Sequence, residues 1–319
     1  MTMTQMPNDT DPRVPADAAR DAGAPSARAA VPLPELGVIA VSGADAISFL
    51  QAQLTSDVAH LTAADMQLNG YCTAKGRLLA TFHQWRHGDE VMLRLPREIL
   101  PAVMKRLSMF VLRAKVRLAD ASDAWSTTGL LGAADIARSA GVELPASPWT
   151  GVAVGDARVD RVPDAAGTDR FLLTAPASSS LPGWCAALPR LPSSAWWRSE
   201  IEAAVPTVFG AYPRRRYASE NPFPSVPLAY QYLTIVREDA VPSVFAATQE
   251  KFVPQMINLE VLGGVNFRKG CYPGQEVVAR SQYLGKLKRR MQRAHVAGDA
   301  AIAGDVYHSG EPQPVGTIV

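Results

Sequence analysis

Apolar residues recur at helical spacing across positions 45–58, where Ile47, Leu50, Leu54 and Val58 share one face and Phe49 lies alongside; the spacing predicts a helix. Positions 78–85 and 91–95 carry the density of aromatic and β-branched residues typical of strands. With His87-Gly88-Asp89 between them they predict a hairpin. Pro96 is expected to open a helix with Ile99, Leu100, Val103, Leu107 and Phe110 on one face. Positions 115–118 alternate as a half-buried strand does, and short strands are expected at 152–154 and 171–174. These elements interleave without the βαβ rhythm of a doubly wound sheet. The fold class predicted is therefore α+β with mostly antiparallel pairing.

Outside these elements the pattern fades. Residues 1–33 are rich in Ala, Asp, Pro and Arg and carry almost no large apolar side chain. They cannot offset their ordering entropy by burial and read as a disordered tail. Folded sequence is expected from about Leu36, within a main region spanning 34–290. The run Ala204-Val205-Pro206-Thr207-Val208-Phe209 recurs 36 positions later as Ala240-Val241-Pro242-Ser243-Val244-Phe245. Between the copies lie Arg214-Arg215-Arg216 and a Pro-rich stretch, so 210–245 reads as an insertion on the surface. A single repeat is no solenoid.

Composition narrows the function classes. Of 319 residues, 47% are hydrophobic and 19% charged, an ordinary globular balance, and the formal net charge is only +2. Bulk coating of nucleic acid is excluded; RNA contact would need a local patch. One such patch is Lys286, Lys288, Arg289, Arg290 and Arg293, which suits phosphates or, equally, guards a helix end or strand edge. The three cysteines, Cys72, Cys185 and Cys271, form no CxxC pair, and the five histidines show no metal-ligand spacing. No run approaches the ~20 apolar residues of a membrane span, and the N-terminus has no secretory apolar core. A cytoplasmic, reducing location is the expectation, with no membrane partner.

The densest chemistry lies in Leu262-Gly263-Gly264-Val265-Asn266-Phe267-Arg268-Lys269-Gly270-Cys271-Tyr272-Pro273-Gly274-Gln275-Glu276. It reads as a strand, a tight turn and a helix start, with Pro273 at the first helical position and Glu276 in the first turn. Cys271 would then sit just ahead of a helix N-terminus beside Arg268 and Lys269, an environment that favours the thiolate. The other reading of a free cysteine is a small buried hydrophobe. Residue types alone leave both open.

Lys269-Gly270-Cys271-Tyr272-Pro273-Gly274-Gln275-Glu276 resembles the signature of the YgfZ family of folate-binding proteins, itself similar to the glycine-cleavage T protein. Phe49-Leu50-Gln51-Ala52-Gln53-Leu54-Thr55-Ser56-Asp57-Val58, Gly70-Tyr71-Cys72-Thr73-Ala74-Lys75-Gly76-Arg77, Phe252-Val253-Pro254-Gln255 and Asn258-Leu259 resemble further family segments in the same order. The resemblance runs from about 36 to 290. It implies a ring of small antiparallel α+β units around a tetrahydrofolate site, closed by a C-terminal β-barrel of which 291–319 would be only the opening strands. It also implies work with iron–sulfur enzymes or their assembly machinery, including those of tRNA modification, with Cys271 as the reactive residue. Folate contacts would map to Trp196, Glu202, Lys269, Gly270, Tyr272, Gly274, Gln275 and Glu276. Glu238, beside the second repeat copy, is the rival of Glu202.

The chain also departs from that pattern. An early family tryptophan is replaced at about Leu36, and the family glycine after Glu202 is Ala204. The T-protein hairpin acid has no counterpart in Leu79-Ala80-Thr81. An aminomethyltransferase would lack its positioned acid. That reading and a plain tRNA-binding module are the alternatives.

Overall fold

The computed structural model describes residues 28–203, 205, 231–232, 250–284, 291, 293–294, 305–307 and 314–317. Two five-stranded antiparallel sheets form its centre. The first has β2 (Leu36–Ser42), β3 (Met66–Cys72), β4 (Leu78–His87), β5 (Glu90–Pro96) and β6 (Arg117–Asp120), in the order β3-β4-β5-β2-β6. The second has β1 (Ala29–Pro32), β7 (Trp125–Leu131), β8 (Thr150–Val154), β9 (Ala157–Ala165) and β10 (Thr168–Pro176), in the order β1-β7-β10-β9-β8. The α+β antiparallel class is as the sequence predicts. Gly88, at φ +58, closes the predicted β4–β5 hairpin.

Helix α1 (Ala46–Gln51) is shorter than its apolar spacing predicts. The Gln51 side chain accepts from the Val58 and Ala59 amides (2.7 and 3.2 Å), folding the chain back after one and a half turns. Leu54 and Val58 still reach the core, Leu54 through an isolated bridge to Tyr71. Helix α2 (Leu100–Ser108) starts at Leu100 with Pro101 in its first turn. Pro96 instead ends β5. Leu100, Val103 and Leu107 are buried on one face as predicted, whereas Phe110 is 41% exposed.

The tail boundary at 33 is also corrected. Ala29, Ala30 and Val31 are fully buried, and β1 pairs with β7 in register from Ala29–Leu131 to Pro32–Thr128. Small side chains gave no apolar signal, yet they fit a strand packed beneath α5 (Ser193–Glu202).

Helices α3 (Ala134–Ser139) and α4 (Gly183–Ala186) cover the far side of the second sheet. Met66 of the first sheet shares a cluster with Leu131, Val162 and Leu172 of the second and with Trp196 and Trp197 of α5. The two sheets therefore meet under α5. A 3-10 turn (Pro254–Ile257) and α6 (Gln275–Tyr283) pack on the first sheet's core through Ile257, Leu259, Val265 and Val278. The remaining described pieces are two short antiparallel pairs. One is β11 (Gln231–Tyr232) with β12 (Arg293–Ala294), and the other is β13 (Asp305–Tyr307) with β14 (Pro314–Thr317). Most of the expected insertion 210–245 and of the expected barrel lies outside the described residues. No described helix is long and apolar enough to cross a membrane.

Candidate functional site

The signature is a pinned loop, not a strand: 262–270 has no strand residue, and α6 begins at Gln275. Pro273, expected at the first helical position, lies just ahead of the helix and its N-cap Gly274. It occupies the second position of a β-turn in which the Gln275 amide donates to the Tyr272 carbonyl (3.1 Å), and Gly274 follows at φ +82. Pro then Gly is what a type II turn demands.

Three contacts hold the loop. The Asn266 amide donates to the Thr55 carbonyl (2.9 Å), and the Asn266 side-chain oxygen accepts from the amides of Arg268 and Lys269. Lys269 runs inward, 7% exposed, and its ammonium donates to the carbonyls of Gln51 and Leu54. It thereby caps the C-terminus of α1, where carbonyls lack helical partners. Burial lowers its pKa to about 8, with the Asp57 charge pulling the other way. The third contact is glycine on glycine. A Cβ on Gly274 would stand 2.4 Å from the Thr73 carbonyl oxygen and 2.5 Å from Gly76 backbone atoms; one on Gly76 (φ +69) would meet Val277 at 2.9 Å. The β3–β4 hairpin tip therefore lies against the signature turn. Gly76 is buried there, while Lys75 stays exposed as a solvated turn residue would.

Between these clamps Cys271 is exposed, and a Cβ on neighbouring Gly270 would meet nothing within 4 Å. The accessible reading of Cys271 stands and the buried-hydrophobe reading falls. Cys72 and Cys185 are buried, and burial pushes their thiols up to about 12 and about 11. They are packing residues. Tyr272 is buried over the Lys269 ammonium, 5.0 Å from it, whereas Glu276 points outward and pairs with Arg280 at 2.7 Å.

A second constellation sits where the sheets meet. A narrow cleft of about 20 Å³ is lined by residues that include Thr81, His83, Arg94, Trp196, Trp197 and Glu200. Arg170 pairs with Glu200, donates to the Ser199 carbonyl (2.7 Å) and lies 4.6 Å over the Trp196 ring. Arg94 donates to Thr174 (2.7 Å) and faces Asp160 at 3.8 Å, while Arg158 binds Asp160 at 2.6 Å. Burial raises the Glu200 carboxyl, opposed by Arg170, Arg94 and the Trp196 side chain. Burial, then the charges of Arg94 and Arg170, holds His83 well below its usual range. Trp196 is buried beside the cleft with Arg170 over its ring. Glu202 ends α5, partly exposed, and does not line the cleft. Sequence reasoning passed over Glu200, Arg170 and Arg94; charged residues inside strands and a helix are the signal that was available. Lys286, Lys288, Arg289, Arg290 and Glu238 lie outside the described residues, and only the backbone of Arg293 is described.

The protein named tRNA-modifying protein YgfZ from Edwardsiella ictaluri is 32% identical over 253 residues, spanning 79% of this chain and 66% of the relative. The chain belongs to the YgfZ family. Its counterpart in Vibrio atlanticus is 28% identical over 274 residues, 82% of this chain and 70% of the relative. The chain thus spans roughly two thirds of the length of these YgfZ relatives. No family model matches the chain. Among solved structures, the glycine cleavage system aminomethyltransferase T from Bartonella henselae aligns with 20% identity over 48% of this chain and 43% of its own, at a TM-score of 0.42. So partial a likeness decides nothing about the site.

Proposed function

We propose that this chain is a folate-binding accessory protein that supports the assembly or repair of iron–sulfur enzymes, including those of tRNA modification, and that Cys271 is its working group. The observation that carries this reading is an exposed thiol on a loop held still by Asn266, Lys269 and Gly274. A group that must meet a large client protein or its cluster needs that combination of access and fixed position. The printed name of the relatives, tRNA-modifying protein, supports the tRNA side of the reading.

Tetrahydrofolate is the cofactor in this reading, with Trp196 beside the cleft as its proposed contact. Trp196 and Trp197 line the cleft, though both are buried and Arg170 lies over the Trp196 ring. The free volume of about 20 Å³ holds about one water and is too small for a pterin as it stands. Glu202, Lys269, Gly270, Tyr272, Gly274, Gln275 and Glu276 are the further contacts proposed. Lys269 would act there through its stem and position, since its ammonium is taken by carbonyls. When bound, the reduced pterin supplies a carrier for one-carbon units. A glycine-cleavage transferase is disfavoured, because Leu79, Ala80 and Thr81 place no carboxylate on β4.

The test is a strain carrying Cys271→Ser at unchanged protein level. Methylthiolation of tRNA, which depends on an iron–sulfur enzyme, should fall; modification at the parental level overturns the assignment of Cys271.

A further inference from the structure

We propose that the turn following α2 is the face by which the chain holds its client, a protein that offers an apolar recess rimmed by carboxylates. The proposal rests on the accessory-protein reading and names the chemistry of its partner.

The first ground is a leucine in a strained place. Helix α2 ends at Ser108, and Leu112 beyond it lies at φ +47, a conformation that bulky residues rarely adopt and that helix ends usually give to glycine. Its side chain is 87% exposed, so packing within the chain does not offset the strain. Met109 and Phe110 beside it are 59% and 41% exposed. The turn is nevertheless held. The Phe110 amide donates to the Leu107 carbonyl (3.0 Å), the Ala114 amide donates to the Val111 carbonyl (2.8 Å), and Val111 packs on the first sheet's core. Three large apolar side chains are thus presented to solvent on a fixed support.

Charge decides the kind of partner. No acidic residue lies between Glu98 and Asp120, while Lys105, Arg113, Lys115 and Arg117 are exposed there. The Asp45 carboxylate does reach this segment, but it accepts from the Lys115 backbone amide (2.7 Å). A complementary surface is therefore acidic around an apolar centre, and Met, aromatic and Arg side chains are those enriched at protein interfaces. Nucleic acid supplies the negative charge but no recess for aliphatic side chains: Met109 and Leu112 have no face on which a base could stack. An anionic bilayer would accept both kinds of side chain, but it holds nothing for Cys271 to act on.

Position ties the turn to that thiol. Asp45 is the N-cap of α1, and at the other end of α1 the Lys269 ammonium is held by the carbonyls of Gln51 and Leu54, two residues before Cys271. With six residues α1 is about 9 Å long. An ordinary interface of ~800 Å² per partner is wide enough to span both ends of so short a helix.

The experiment uses the full chain and, as probe, the purified iron–sulfur enzyme of tRNA methylthiolation in its cluster-free form. Wild type should bind it, and added salt should weaken the binding. Leu112→Gly and Arg113→Glu/Lys115→Glu should each bind at least about tenfold more weakly. Leu112→Gly should also melt no lower than wild type, since glycine relieves the backbone, and its Cys271 thiol should alkylate at the wild-type rate. No binding by wild type, variants that bind like wild type, or a Leu112→Gly that melts lower overturns the docking face; lost methylthiolation in the Cys271→Ser strain then leaves the accessory reading standing. Parental methylthiolation in that strain, beside Leu112-dependent binding of the enzyme, keeps the docking face and removes the role of Cys271. Leu112-dependent binding to tRNA or to phosphatidylglycerol vesicles, or Leu112-dependent dimerisation in sedimentation, in place of binding to the enzyme, overturns the assignment to a client protein.

Discussion

The signature loop and the floor of the cleft hold cations in opposite ways. At the loop, the Lys269 ammonium is met by backbone carbonyls of α1, and neighbouring glycines let two turns touch through backbone alone. At the cleft, Arg170 and Arg94 are met by side-chain carboxylates between two sheets. The first arrangement brings the chain together so that one side chain, Cys271, faces outward. The second buries charge and leaves acceptors such as Glu200 Oε2 unmatched. Presentation of a thiol and burial of charge are thus built by different means: the loop by backbone conformation, the cleft by paired side chains.

The largest expected effect breaks the cleft. Arg170→Met strands a buried carboxylate and should destabilise the fold by about 3–5 kcal/mol, as removing one partner of a buried ion pair does. Arg170→Met/Glu200→Leu should recover most of that loss in thermal melts. If the single variant melts like wild type, the pair does not hold α5. Next in size is the loop. Gly274→Ala adds a Cβ against the backbone of Thr73 and Gly76 at a positive φ, and should cost ~3 kcal/mol. Gly270→Ala, four residues away with open space around it, should stay within about 0.5 kcal/mol. Equal melting temperatures for the two would show that the glycine contact pins nothing.

The smallest effect is a pH dependence. Burial, with the charges of Arg94 and Arg170 acting the same way, keeps His83 neutral in the folded protein, well below the ordinary 6.5. The unfolded chain gains a proton near pH 6.5 that the folded protein refuses. The stability contributed by neutral His83 is therefore present above that pH and is lost as pH falls below it. The slope is at most ~1.4 kcal/mol per pH unit. His83→Gln should flatten the wild-type loss between pH 6.5 and 5 in urea melts; parallel curves would remove His83 from the acid response.

How much of this was legible depends on how local the cause is. The Gly88 hairpin could be anticipated because it is set by backbone restrictions within a few residues; the Pro273-Gly274 turn is as local, but Pro273 reads equally well as the first residue of a helix, which is where the pattern places it. The length of α1 could not, since a side chain seven positions from its own partner, Gln51 to Val58, ends the helix. Strand β9 gives a weak signal because Arg161 breaks the alternation of Ala157 to Asp160 after four residues and charge crowds the rest. Arg158 and Asp160 sit in a strand only because they pair with each other and face Arg94 across the sheets.

The sequence by itself determined the antiparallel α+β class, the signature and the family to which it points, because these follow from residue order and short-range sterics. Tertiary structure alone decided that Cys271 faces out, that Lys269 turns in to cap α1, and that Glu200 rather than Glu202 lines the cleft. Each of those outcomes depends on which distant backbone or charge a side chain meets, and no spacing along the chain encodes it.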